Sequence, residues 1–120
     1  MDTNTKVLII DDSAFMRNVL KNILTGAGLS IFSEAENGKE GIEKFEQEKP
    51  DLVLLDIIMP EMGGLDVLKE IGSKGNFLVV SAVGQDKVID EAKALGAKGY
   101  IVKPFDINQV VTEVTKALAK

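Results

Sequence analysis

The chain has 120 residues, 19 acids against 14 bases for a formal charge of −5, and neither cysteine nor histidine. A length of this order makes one compact domain that buries about two-thirds of the surface its unfolded chain exposes. The composition excludes disulfides, thiolate metal sites and imidazole chemistry, so any covalent step must use a carboxylate, a hydroxyl or an amine.

Two kinds of pattern alternate five times along the chain: a short run rich in valine, isoleucine and leucine, then a longer stretch with helical spacing. That alternation is the signature of a parallel sheet covered on both faces. The first run, Lys6 to Ile10, ends in Asp11-Asp12. A helix from Ser13 to Thr25 follows, with Phe15, Met16, Val19, Leu20, Ile23 and Leu24 as its apolar stripe and Gly26 and Gly28 as its stop. Ser30 to Ala35 reads as the second strand. Its helix opens at Asn37 with Glu40 in capping-box position, carries Ile42 and Phe45 inward and halts before Pro50. The third strand, Asp51 to Leu55, ends in Asp56, and Gly63-Gly64 opens a helix burying Leu65, Leu68 and Ile71. Phe77 to Ser81 is the fourth strand. It is followed by a helix from Asp86 to Leu95, with Val88, Ala92 and Leu95 inward and Gly96 as its C-cap. Gly99 to Val102 is the fifth, ending in Lys103. The last helix starts at Asp106 with Gln109 as reciprocal cap, buries Ile107, Val110, Val111, Val114 and Leu118, and is expected to run to the end of the chain, with a single domain and no appended one as the expectation. Runs one, three and four are almost wholly apolar and are expected at the centre of the sheet.

Charge is interspersed, which argues against a nucleic-acid footprint and points to proteins as partners. The apolar stretches are strand-sized, and Met1-Asp-Thr-Asn-Thr-Lys6 lacks the apolar core of a signal peptide. A cytoplasmic protein without membrane contact is the expectation.

Open α/β sheets bind ligands at the carboxyl ends of their strands. Asp11, Asp12, Asp56, Ser81 and Lys103 all occupy such ends. Singly each has an ordinary explanation: Asp11, Asp12 or Ser13 could cap the first helix, Asp56 could start a turn and Lys103 could be solvated. Together they bring three carboxylates and one ammonium to one rim. Two unit charges about 4 Å apart repel by about 4 kcal/mol at an effective dielectric near 20, a large share of the stability of a small domain. One lysine does not neutralise three carboxylates, and a hard divalent cation held by oxygen, Mg²⁺, does. With the cation and Lys103 in place the rim suits a phosphoryl group, whose transfer needs cationic clamps more than acid-base groups. Asp56 is the candidate nucleophile because packing around its all-apolar strand constrains its rotamers. Ser81 can donate its hydroxyl to a phosphoryl oxygen, and Gly63 and Gly64 fit a flexible loop beside the site.

Leu8-Ile-Ile-Asp-Asp-Ser13, Asp56-Ile-Ile-Met-Pro-Glu-Met-Gly-Gly64, Ser81-Ala82 and Lys103-Pro104-Phe105 stand in the order found in response-regulator receiver domains, and the chain resembles that family over residues 1–120. The resemblance implies a single doubly wound (βα)5 flavodoxin-like α/β domain with a parallel five-stranded sheet in the order 2-1-3-4-5, an order compatible with right-handed crossovers. It implies that Asp56 takes a phosphoryl group from a phosphohistidine kinase. Mg²⁺ would be held by Asp12, Asp56 and the backbone carbonyl of Ile58, with Asp11 nearby or through water. Lys103, joined to Pro104 by a cis bond, would pair with the phosphoryl group, and Ser81 would move toward it. Tyr100 would rotate inward behind Ser81 and alter the surface of the fourth helix, fifth strand and fifth helix. Tyr100 and Lys103 are three apart and leave the strand on opposite faces, so Tyr100 is a sensor candidate rather than a pocket ligand, with a half-buried aromatic of an edge strand as the ordinary alternative.

Within the family, Asp11-Asp-Ser-Ala-Phe-Met-Arg17, Ser81-Ala-Val-Gly-Gln85 and Gly96 to Phe105 are most similar to stand-alone chemotaxis regulators of the CheY type. That implies a monomeric phosphoacceptor switch rather than an enzyme, a CheA-type histidine kinase as donor, a motility-switch or adaptor protein as target, and a phosphatase as a further partner. The alternative is a phosphorelay intermediate that passes its phosphoryl group to a second histidine protein. Ile58 and Val83 are apolar where some relatives place polar groups near the hydrolytic water, which predicts slow self-dephosphorylation. Flavodoxin-type electron carriers share the fold, but Asp11-Asp12 would repel the cofactor phosphate. Aspartate-dependent phosphohydrolases usually carry their nucleophile after the first strand. A module with a vestigial pocket would be expected to have lost one of Asp12, Asp56, Ser81 and Lys103.

Overall fold

Alternating side-chain parity along the strands divides the core in two. In this computed structural model, which describes residues 2–119, Leu8, Ile10, Val53, Leu55, Phe77 and Val79 face one layer. Val7, Ile9, Leu52, Leu54, Leu78 and Val80 face the other. The strands are β1 (Lys6–Ile10), β2 (Ile31–Ala35), β3 (Leu52–Leu55), β4 (Phe77–Ser81) and β5 (Ala97–Val102). All pairings are parallel and the order is β2-β1-β3-β4-β5, so the three all-apolar runs are interior as expected.

The helices are α1 (Ala14–Gly26), α2 (Gly38–Glu48), α3 (Gly64–Ile71), α4 (Asp86–Ala94) and α5 (Ile107–Leu118). Leu20 and Leu24 of α1 and Val110 and Val114 of α5 cover one face, while Phe45 of α2, Val67, Leu68 and Ile71 of α3 and Ala92 of α4 cover the other. A short 3-10 turn, Gly72–Lys74, links α3 to β4. Among the described residues no helix is long and apolar enough to cross a membrane.

Several local expectations change. Phe15 is 75% exposed and Ile107 62% exposed, although the stripes placed both inside. Each lies in the first turn of a helix that starts at the rim, where no strand lies beneath it. Val67 belongs to the buried face of α3, while Leu65 packs only partly. Helix α1 continues through Gly26, and the turn is made by Gly28 at φ +101°. The Asn37 side chain accepts from the Glu40 amide, but the Glu40 carboxylate lies 3.7 Å from Lys44 Nζ instead of completing the box. Asp106 and Gln109 form theirs in both directions. Helix α5 ends at Leu118. Met1 of the opening segment and Lys120, the end of the expected last helix, lie outside the described residues.

Candidate functional site

Strand register brings the acids together. Ile10 of β1 stands opposite Leu55 of β3, so the residues that follow, Asp11 and Asp56, leave adjacent strands at one level, and the Asp56 amide still donates to the Ile10 carbonyl at 3.0 Å. Ser13 takes the N-cap of α1, accepting from the Met16 amide at 3.1 Å, which frees both acids from capping. Oxygens of Asp11, Asp12 and Asp56 lie within 4.8 Å of one another. Asp11 is 2% exposed and Asp56 6%, while Asp12 is open to solvent.

The counter-charge is Lys103. Its Nζ donates to Asp11 Oδ2 at 3.0 Å and to Asp56 Oδ2 at 3.2 Å. Burial alone would push this ammonium down; the hydrogen bond to Asp11 and the charges of Asp56 and Asp11 outweigh it, and its pKa lies above the ordinary lysine range. The second oxygens are also held, Asp11 Oδ1 by the Ser13 amide at 2.9 Å and Asp56 Oδ1 by the Ile58 amide at 3.2 Å. The Lys103–Pro104 bond is cis. The donor set is all oxygen and carries two more negative than positive charges, the chemistry that suits a hard divalent cation such as Mg²⁺.

The loop after β3 is built for close approach rather than freedom. A Cβ on Gly64 would stand 2.2 Å from the Asp56 carbonyl oxygen, and one on Gly63 would stand 2.8 Å from that of Ile57. These glycines therefore let α3 start directly against the backbone that carries Asp56, which corrects the reading of a flexible loop. The Ile58 side chain is 63% exposed at the rim.

Ser81 is fully buried. Its Oγ accepts from the Val83 amide at 3.2 Å and its carbonyl accepts from the Lys103 amide at 2.8 Å. Tyr100 lies half-buried on the opposite face of β5 from Ile101, directed inward, with its hydroxyl donating to the Val83 carbonyl. Burial raises the phenol pKa, the Ser81 hydroxyl draws it down and the Asp56 charge adds to the rise. Ser81 and Tyr100 thus hold the same loop after β4.

Sequence reasoning missed two participants. The Val83 carbonyl is a backbone group without a sequence signal. Arg17 reaches from α1 to the Asp11 carbonyl at 2.6 Å and to Glu34 Oε1 at 2.8 Å. Its signal was a cation one turn beyond an acidic pair.

A doubly wound sheet with an acid cluster and a bridging lysine at the carboxyl rim defines a class, and the chain belongs to the response regulator receiver domain family, whose match spans residues 7–115. It is 48% identical over 114 residues to the chemotaxis protein CheY of Thermotoga maritima, covering 92% of this chain and 95% of that protein. It is 43% identical to CheY of Bacillus subtilis, covering 94% and 97%. Among solved structures, a chain of the CheX-CheY-BeF3-Mg²⁺ complex of Borrelia burgdorferi superposes with a TM-score of 0.91 at 34% identity, covering 97% of this chain and 90% of that one.

Proposed function

We propose that this receiver domain is a CheY-type chemotaxis switch that accepts a phosphoryl group on Asp56. The observation that carries the reading is the three-carboxylate cluster, of which Lys103 bridges two members. An Asp56 oxygen attacks the phosphorus of a phosphohistidine on a CheA-type kinase; the new P–O bond forms as the P–N bond breaks, and the imidazole leaves with the electron pair. Asp11, Asp12 and Asp56, with the Ile58 carbonyl, would hold Mg²⁺, which when bound offsets charge between carboxylates and phosphoryl oxygens. Lys103 supplies the second positive charge.

The readout follows from the shared loop. If the Ser81 hydroxyl turns to the phosphoryl oxygen, the Val83 amide loses its acceptor, and the carbonyl of the same residue is the one Tyr100 holds. The signal then passes to the surface of α4, β5 and α5, where a motility-switch or adaptor protein binds; separately, the Borrelia complex supports a CheX-type protein as a further partner. The Ile58 and Val83 side chains bring no polar atom to the hydrolytic water, so a separate phosphatase ends the signal.

The test is incubation with Mg²⁺ and acetyl phosphate followed by intact mass. One added phosphoryl mass, lost with chelator and in Asp56→Asn, is expected. A phosphorylated Asp56→Asn protein would move the acceptor elsewhere.

A further inference from the structure

Three carboxylates make up the acid cluster, but they are not held alike. Asp11 and Asp56 each have both oxygens engaged, by Lys103 and by the Ser13 and Ile58 amides. Asp12 is exposed and its carboxylate makes no hydrogen bond among the described residues. Where it starts from therefore rests on its backbone, and its rotamers sweep from that point. The peptide unit that joins Asp11 to Asp12 is planar, so whatever fixes the Asp11 carbonyl also fixes the line along which Asp12 departs. Arg17 Nη1 takes that carbonyl at 2.6 Å, while the Asp11 amide is tied to the Ala35 carbonyl of β2 at 3.0 Å.

Arg17 is itself braced. Its side chain is 14% exposed, and its Nε donates to Glu34 Oε1 at 2.8 Å. Glu34 Oε2 accepts from Lys21 Nζ at 2.8 Å, and the Glu34 backbone carbonyl accepts from Lys44. The planar guanidinium can serve both acceptors at once because its donors form a rigid fork, whereas one ammonium on a flexible stem has no such fixed geometry.

We propose that Arg17 is a positioning residue for the cation site: braced by Glu34, it holds the Asp11 carbonyl and so aims the Asp12 carboxylate. The inference rests on the proposed Mg²⁺ site and deepens it. Partners that orient a metal ligand typically change affinity by about 10- to 100-fold when removed.

Charge and position predict opposite signs here, which makes the test sharp. Deleting a cation next to an acidic site tightens Mg²⁺ binding if Arg17 acts only through its charge. Deleting a brace weakens it. Calorimetric Mg²⁺ titration of the wild type, Arg17→Gln, Arg17→Lys and Lys21→Gln separates the two, because Lys21 shares Glu34 with Arg17 but its ammonium does not hold the Asp11 carbonyl. The expected result is affinity about tenfold weaker in Arg17→Gln, weaker also in Arg17→Lys, and unchanged or tighter in Lys21→Gln. In acetyl phosphate assays the Mg²⁺ concentration for half-maximal rate rises in Arg17→Gln, while the rate at saturating Mg²⁺ stays near that of the wild type. If Arg17→Gln does not fold, Arg17→Lys carries the test alone. A folded Arg17 variant that binds Mg²⁺ as well as the wild type overturns the inference. A wild type that binds no Mg²⁺ overturns the site reading instead.

Discussion

Two charged clusters meet at Arg17, which holds the Asp11 carbonyl and Glu34, and they are built on opposite terms. At the rim, Asp11, Asp12 and Asp56 face, among the described residues, only Lys103 as a paired cation, and two of the three acids are buried. On the flank, Glu34 faces both Arg17 and Lys21, with 34% of its side chain exposed. The flank satisfies its single acid twice over and half in water, as a structural ion pair does. The rim leaves negative charge uncompensated in a place where water screens it poorly, an arrangement that costs stability until a ligand supplies positive charge. Uncompensated burial, rather than the number of charges, distinguishes the site.

The largest break in this contrast comes from Lys103→Met. Removing the one cation leaves two buried carboxylates facing each other, and we expect a loss of about 3 kcal/mol in urea unfolding without Mg²⁺, the low end for breaking a buried pair because the rim is partly wetted. Added Mg²⁺ should recover more stability in the variant than in the wild type. The same pairing has an alkaline window: the Lys103 pKa is raised in the folded state, so its contribution is complete below the ordinary lysine pKa and lost as pH rises through the folded value. A loss under about 1 kcal/mol would mean that the carboxylates are not crowded.

Much of the rim was legible because it follows from strand ends. Three all-apolar runs must be interior, their carboxyl ends must share an edge, and whatever follows them converges there. The periodicity of α1 and α5 says nothing about where the sheet stops, so Phe15 and Ile107 were placed in a core that does not extend beneath them. Gly63 and Gly64 suggest freedom by composition, and only the backbone of Asp56 and Ile57 beside them shows why a side chain cannot stand there. Arg17 left only a faint trace in the sequence, a cation shortly after an acidic pair, and its contacts could not be read from it. Its partners are on β2 and in the loop after β1, contacts that depend on how α1 lies across the sheet edge rather than on helical spacing.

Asp12→Asn sharpens the comparison from the acid side. Asp12 is exposed and makes no hydrogen bond among the described residues, so its loss removes repulsion and little else. The variant should be more stable than the wild type by about 1 kcal/mol without Mg²⁺. It should also lose most of the stabilisation that saturating Mg²⁺ confers, which for a ligand at 100 times its Kd is about 2.7 kcal/mol. Unfolding curves with and without Mg²⁺ measure both. A variant less stable than the wild type in chelator would show that Asp12 makes a structural contact of its own.

The smallest effect is expected on the flank. Lys21's hydrogen bond lowers the Glu34 pKa; burial opposes it, and Arg17's hydrogen bond adds to the lowering. A depressed folded value means that the pairing stabilises the protein above the ordinary glutamate range and that this contribution fades as pH falls through the folded pKa. Glu34→Gln should therefore cost less than about 1 kcal/mol near neutrality, because partly exposed pairs are screened, and nothing once Glu34 is protonated in both states. The acid end is thus the opposite of the Lys103 window, and unfolding midpoints should converge on the wild type at low pH for Glu34→Gln and at high pH for Lys103→Met. If Glu34→Gln proves as costly as Lys103→Met, the flank is not a screened surface pair but part of the same strained assembly as the rim, and the distinction between the two clusters fails.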